Sequence, residues 1–122
     1  MIKISDSELE VMKVIWEHGN ITSLEIIDNL QKKFDWNDST IRTLIIRLEK
    51  KKAIEKIEKN GRVYTYSAKI SESEYKLKES KRFVDMLYNG SINNMLLGFV
   101  KEKDISKEDL KSLIDLIESE EE

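Results

Sequence analysis

The run NDSTIRTLIIRLEKKK from Asn37 to Lys52 limits the possible folds more than any other stretch of the chain. Ile41, Leu44, Ile45 and Leu48 recur at i, i+3, i+4 and i+7, the spacing of an amphipathic helix with one apolar stripe. A strand would send successive side chains to opposite faces, so the segment is read as a helix lying on a core. Asn37 is positioned to cap the first-turn amides, and Asp38 meets the positive end of the helix dipole. Ser39, Thr40, Arg42, Thr43, Ile46 and Arg47 fall on the opposite face, a mixture of short hydroxyls and long cations suited to base edges and phosphates. Lys50, Lys51 and Lys52 close the helix.

The neighbouring segments supply what this helix packs on. Ser5 with Glu8 forms a capping box for a first helix through Glu17, whose apolar side carries Leu9, Val11, Met12, Ile15 and Trp16, and Gly19 provides the left-handed stop. His18 reads as a helix-end residue favoured by the dipole. Ile21 is placed to pair at the edge of a small sheet before Thr22 or Ser23 caps a second helix running to about Lys33, with Leu24, Ile27, Leu30 and Phe34 as its expected inward stripe. Two short helices joined by a tight polar turn, the second with a cationic outer face, make a helix-turn-helix.

Beyond the lysines, Ile54 and Ile57 precede a turn containing Asn60-Gly61, and Val63, Tyr64 and Tyr66 follow it, a β-hairpin pattern. Lys59 and Arg62 are expected at its tip, within reach of a sugar-phosphate backbone or a minor groove. Tyr64 and Tyr66 share a face and are read as packing on the helices. Helix, short strand, helix, helix, hairpin is the order of a winged helix-turn-helix. The expected fold is therefore mainly α with a small β-hairpin, a winged helix domain over residues 1–70 followed by a helical domain over 71–122.

The net charge of −3 conceals a strong segregation. Residues 1–41 balance at −4, residues 42–69 at +6 with 9 cations against 3 anions, and residues 70–122 at −5. One basic island between acidic flanks suits a single surface that meets phosphate. With no cysteine and one histidine, neither a disulfide framework nor a metal cluster is expected, and no cofactor is implied. No nucleophile with a positioned base and no glycine-rich phosphate loop is visible, so catalysis is not expected. An apolar run long enough for a membrane span is lacking, as is a signal pattern at the N-terminus, and the protein is expected to be cytoplasmic.

Residues 71–122 read as three helices. Ser71 with Glu74 opens one that carries Tyr75, Phe83, Val84, Leu87 and Tyr88 and stops at Asn89-Gly90. A second, from Ser91 to about Lys101, carries Ile92, Met95, Leu96, Leu97, Phe99 and Val100. A third, capped by Ser106 with Asp109, carries Leu110, Leu113, Ile114, Leu116 and Ile117. About 50 residues bury too little surface to close a core alone, so a partner is needed, and a second copy is the simplest. Phe83, Leu87, Tyr88, Ile92, Met95, Leu96, Phe99, Val100, Leu113 and Ile117 are the expected dimerisation residues. A symmetric dimer implies an inverted-repeat operator on double-stranded DNA, with two linked modules gripping it together.

ISDSELEVMKVIWEHG, the STIRTLIIRLEKKKAI run, the NGRVYTYS wing and the YNGSINNMLLGFV segment together resemble the BlaI/MecI family of penicillinase repressors over nearly the whole chain. The resemblance implies a homodimeric bacterial repressor that binds half-sites of the TACA/TGTA type in promoters of β-lactam resistance genes. It also implies inactivation by cleavage in the C-terminal domain, triggered through a membrane sensor-protease; the matching bond is Gly98-Phe99, although Phe99 reads equally well as a core aromatic. Family members often have Ser-Pro-Lys-Thr where this chain has Asn37-Asp38-Ser39-Thr40, and Asn where it has Gly98. Ser39, Thr40, Arg42, Thr43, Arg47, Lys51, Lys59 and Arg62 are the expected DNA-binding residues, with either arginine able to read guanine while the other holds the backbone. A repressor released by a small ligand is the alternative, and a copper-sensing relative is disfavoured because thiolate ligands are absent.

Overall fold

The structure, a computed structural model, describes residues 2–121. The elements are α1 (Asp6–His18), β1 (Ile21–Thr22), α2 (Ser23–Gln31), α3 (Asp38–Lys50), β2 (Ile54–Asn60), β3 (Val63–Ala68), α4 (Glu72–Tyr88), α5 (Ile92–Lys101) and α6 (Lys107–Glu121). The chain divides into two units, one ending at Tyr75 and one beginning at Lys76.

In the first unit the expected local signals act where the sequence puts them. The Ser5 side chain accepts from the Glu8 amide while the Glu8 carboxylate accepts from the Ser5 amide, a reciprocal cap for α1. Thr22 and Glu25 repeat the arrangement for α2. Gly19 ends α1 with a positive φ of 79°, a conformation open to glycine at little cost. The sheet runs β1-β3-β2 and is antiparallel throughout, with Ile21 opposite Tyr66 and Asn60 opposite Val63. Asn60-Gly61 leads into a two-residue loop of Gly61 and Arg62, with Gly61 at φ 65° in its first position, as a tight hairpin connection requires.

The core lies between these layers. Val11, Met12 and Ile15 of α1, Ile26 and Leu30 of α2, Ile41, Ile45 and Leu48 of α3, and Ile21, Ile54 and Tyr66 of the sheet are all buried. The α2 stripe differs from expectation, since Leu24 is exposed and Ile26 is fully buried. The buried set Ser23, Ile26, Ile27, Leu30 has the full i, i+3, i+4, i+7 phase, and Leu24, one residue past Ser23, is rotated about 100° from the start of that stripe. Phe34 is half-buried, with its ring stacked on Trp36 at 4.4 Å. Ile57 is exposed because β2 is irregular between Lys56 and Glu58, leaving Ile57 without an opposite residue.

The second unit consists of α4 from Lys76 onward, α5 and α6. Ser91 caps α5 through the Asn94 amide, and Ser106 with Asp109 forms a capping box for α6. Asn89 and Gly90 take positive φ between α4 and α5. Val84 is the one buried apolar residue among the described residues here, and Tyr88, Met95 and Leu96 are half-buried. Phe83, Leu87, Ile92, Phe99, Val100, Leu113 and Ile117 are exposed. Phe83, Val84, Met86, Leu87 and Met95 line an open apolar groove of about 550 Å³.

Candidate nucleic-acid interface

Local hydrogen bonds fix the start of α3. Asn37 Oδ1 accepts from the Thr40 amide at 2.8 Å and from the Ser39 hydroxyl at 2.9 Å. Gln31 at the end of α2 donates through Nε2 to Asp38 Oδ1 at 2.7 Å and to the Trp36 carbonyl at 3.3 Å. The turn of the helix-turn-helix is thereby tied to the helix on either side of it.

The end of α3 is a Schellman motif built from lysines. The Lys52 amide donates to the Glu49 carbonyl and the Ala53 amide to the Leu48 carbonyl, both at 3.0 Å, with Lys52 at φ 65° where glycine is usual. Between these ends Ile41, Leu44, Ile45 and Leu48 are buried, while Ser39, Thr40, Arg42, Thr43, Ile46 and Arg47 are exposed on the other side. Arg42 and Arg47 form no ion pair among the described residues. Thr43 donates its hydroxyl to the Ser39 carbonyl at 2.9 Å, one turn back.

The hairpin stands beside this face. Arg42, Ile46 and Glu49 of α3, with Lys56, Arg62 and Tyr64 of the hairpin, line a cleft of about 220 Å³. Lys56 Nζ lies 3.5 Å from Glu49 Oε2 and 4.0 Å from the centre of the Tyr64 ring, so one lysine joins the hairpin to α3 by charge and by cation–π contact. Lys59 Nζ is 5.3 Å from the same ring. Tyr66 is buried, and burial first, then the Glu49 charge, pushes its hydroxyl above the usual tyrosine range. The structure therefore brings Arg42, Lys59 and Arg62 around Tyr64 and the cleft, with Arg47 further along α3. It also adds Lys56, whose position opposite Tyr66 and next to the irregularity in β2 is invisible without the strand register.

Lys51, expected among the DNA-binding residues, is exposed but already engaged within the protein. Its ammonium donates to Glu8 Oε1 at 2.6 Å and to the Lys3 carbonyl at 2.8 Å. Burial acts to raise the Glu8 pKa, but the Lys51 hydrogen bond, the Ser5 amide and hydroxyl, and the Lys51 charge together outweigh it and hold the carboxyl below its ordinary range. The partner stands 43 residues away, so no local reading of the lysine run finds it. His18 Nδ1 lies 2.9 Å from the Val14 carbonyl one turn back, a helix-end contact.

Three helices with a helix-turn-helix, a two-residue edge strand and a hairpin define a winged helix domain. The penicillinase repressor profile matches residues 4–119. The chain is 42% identical over 116 residues to the penicillinase repressor of Bacillus licheniformis, covering 95% of this chain and 90% of the relative. It is 36% identical over 115 residues to the methicillin resistance regulatory protein MecI of Mammaliicoccus sciuri, covering 94% and 93%. Among solved structures, the monomeric form of Bacillus licheniformis BlaI in complex with the blaP half-operator superimposes with a TM-score of 0.53 at 49% identity, covering 62% of this chain and 92% of that one. The chain belongs to the penicillinase repressor family. Its relatives are transcriptional repressors, not enzymes.

Proposed function

We propose that this protein is a homodimeric repressor that binds an inverted-repeat operator of β-lactam resistance genes in the cytoplasm. The observation that carries the reading is the outer face of α3: Arg42 and Arg47, exposed and unpaired among the described residues, beside a hairpin that presents Lys59 and Arg62. In the major groove an arginine can pair with guanine through two hydrogen bonds, and the hairpin cations meet the adjoining backbone. Ser39 and Thr40 lie at the N-terminal end of the face, where the helix dipole favours phosphate.

Dimerisation is supported by the second unit's exposed apolar residues, which a second copy would cover. Joining two winged helices raises the effective concentration of the second at its half-site and allows a tight grip from two modest ones. Release by proteolysis is supported by the position of Gly98-Phe99 in α5. Both residues are exposed, and a cut there separates Phe99, Val100 and all of α6 from the rest of the unit. A membrane sensor-protease is the proposed agent. The apolar groove along α4 favours a second reading, release by a small apolar ligand.

The test is binding to an inverted repeat with TACA and TGTA half-sites. Arg42→Ala and Arg47→Ala are each expected to weaken binding by about 1–3 kcal/mol with helicity retained, and wild-type affinity is expected to fall steeply with salt. Unchanged affinity in both variants removes the assignment of this face. Incubation with the cognate sensor-protease followed by fragment sequencing separates the two modes of release: cleavage at Gly98-Phe99 supports the first, and an intact chain that nonetheless leaves the operator supports the second.

A further inference from the structure

We propose that Ile46, together with the γ-methyl group of Thr43, recognises thymine through its 5-methyl group, which makes Ile46 a specificity-determining residue of the interface. The inference rests on the operator-binding reading of α3. Ile41, Leu44, Ile45 and Leu48 are all at most 5% exposed, but Ile46 is 49% exposed on the face that carries Arg42 and Arg47. Scattered apolar side chains on a protein surface need no explanation in themselves. The setting of this one is unusual because of the hydroxyls around it.

Thr43 precedes Ile46 by three residues and shares its face. Its hydroxyl proton is donated to the Ser39 carbonyl at 2.9 Å, so toward a ligand the oxygen can only accept and the methyl is its apolar surface. The Ser39 hydroxyl is likewise donated, to Asn37 Oδ1. The middle of the face therefore offers the Ile46 side chain and the Thr43 methyl as its apolar surface, with Arg42 and Arg47 next to them. Among the base edges of the major groove, hydrogen-bonding groups suit the arginines, whereas the thymine 5-methyl group is the apolar feature that suits an aliphatic side chain. An arginine next to an isoleucine on one face therefore fits a guanine or phosphate next to a thymine.

The experiment replaces each thymine of the inverted repeat, one at a time, by deoxyuridine, which deletes the methyl and leaves the Watson–Crick edge unchanged. Wild-type protein and Ile46→Ala are titrated against every duplex and against a scrambled one, and thermal unfolding checks that the variant is folded. At one position per half-site the wild type is expected to lose about fourfold in affinity, the worth of one methyl-sized group taken from water. Ile46→Ala is expected to bind the thymine duplex more weakly and to be indifferent to uracil at that position. The proposal is overturned if the wild type binds every uracil duplex as well as the parent, as a contact to deoxyribose would give, or if Ile46→Ala keeps the full uracil sensitivity. A wild type that does not prefer the inverted repeat to the scrambled duplex overturns the operator-binding reading, and the inference with it.

Discussion

Among the described residues, the unit ending at Tyr75 encloses fifteen buried apolar residues, whereas the unit beginning at Lys76 encloses Val84 alone. The helices of both are capped and amphipathic. Ser106 and Asp109 start α6 with the same reciprocal bonds that Ser5 and Glu8 use for α1. The difference therefore lies beyond the single helix. Capping and periodicity decide that a helix forms and which side is apolar, but whether that side leaves water depends on what is available to cover it. In the first unit, α1, α2, α3 and a three-stranded sheet cover one another; in the second, the stripes of α4, α5 and α6 outlast the cover that one chain supplies.

The largest effect is expected where this contrast is greatest. Leu87→Glu keeps a good helix former on α4 but sets a charge in its apolar face at a residue that is 63% exposed. Sedimentation should show a monomer, and affinity for the full inverted repeat should fall about 100-fold or more while half-site binding is unchanged. A variant that stays dimeric would break the comparison by showing that this face is not the joint.

A smaller effect sharpens the other side of it. Lys51→Met leaves the buried Glu8 carboxylate without its ammonium and is expected to lower stability by about 1–3 kcal/mol at neutral pH, measured by denaturant unfolding. The folded-state pKa of Glu8 lies below its ordinary value of 4.5, so the stabilisation it carries is complete above that value and is lost as the pH falls through the folded-state pKa. Removing Lys51 raises the folded-state value toward the ordinary one, so the variant should lose less stability than the wild type between pH 5 and the acid limit, in the window set by about 4.5 and the depressed value. Unaltered acid sensitivity would show that the pair is not what depresses Glu8.

The smallest effect is a control on exposed leucines. Leu24→Ser removes a 52% exposed side chain from α2 of the closed unit, and stability should change by less than about 0.5 kcal/mol with the oligomeric state unaltered. A change of oligomeric state would mean that the closed unit also uses its surface for association.

Much of the fold was legible because its signals are local. The Asn37 cap, the two boxes at Ser5 and Ser106, the Gly19 stop and the Asn60-Gly61 connection each act within a few residues, and periodicity places Ile41, Leu44, Ile45 and Leu48 inward without reference to anything else. What was not legible depends on partners distant in sequence or on competition within a turn. Ser23 hides the phase of α2 because it is polar yet buried, so periodicity read from the apolar residues alone puts Leu24 inward in place of Ile26. At the candidate interface the two arginines follow from spacing alone. Spacing does not show that the Thr43 hydroxyl proton goes to a carbonyl one turn back, which leaves its oxygen only as an acceptor. Lys56 carries no such local signal, because its two neighbours, Glu49 and Tyr64, lie on different elements.

The ion pair between Lys51 and Glu8 bears on how the basic island behaves toward a polyanion. Condensed sodium or potassium leaves a duplex only where an ammonium or guanidinium takes its place, so the salt dependence of association counts such replacements and not the total of lysines. Of the three consecutive lysines at the end of α3, Lys50 and Lys52 have no ion pair among the described residues and are the ones free for such replacement, whereas the middle one braces the end of α3 against the first turn of α1.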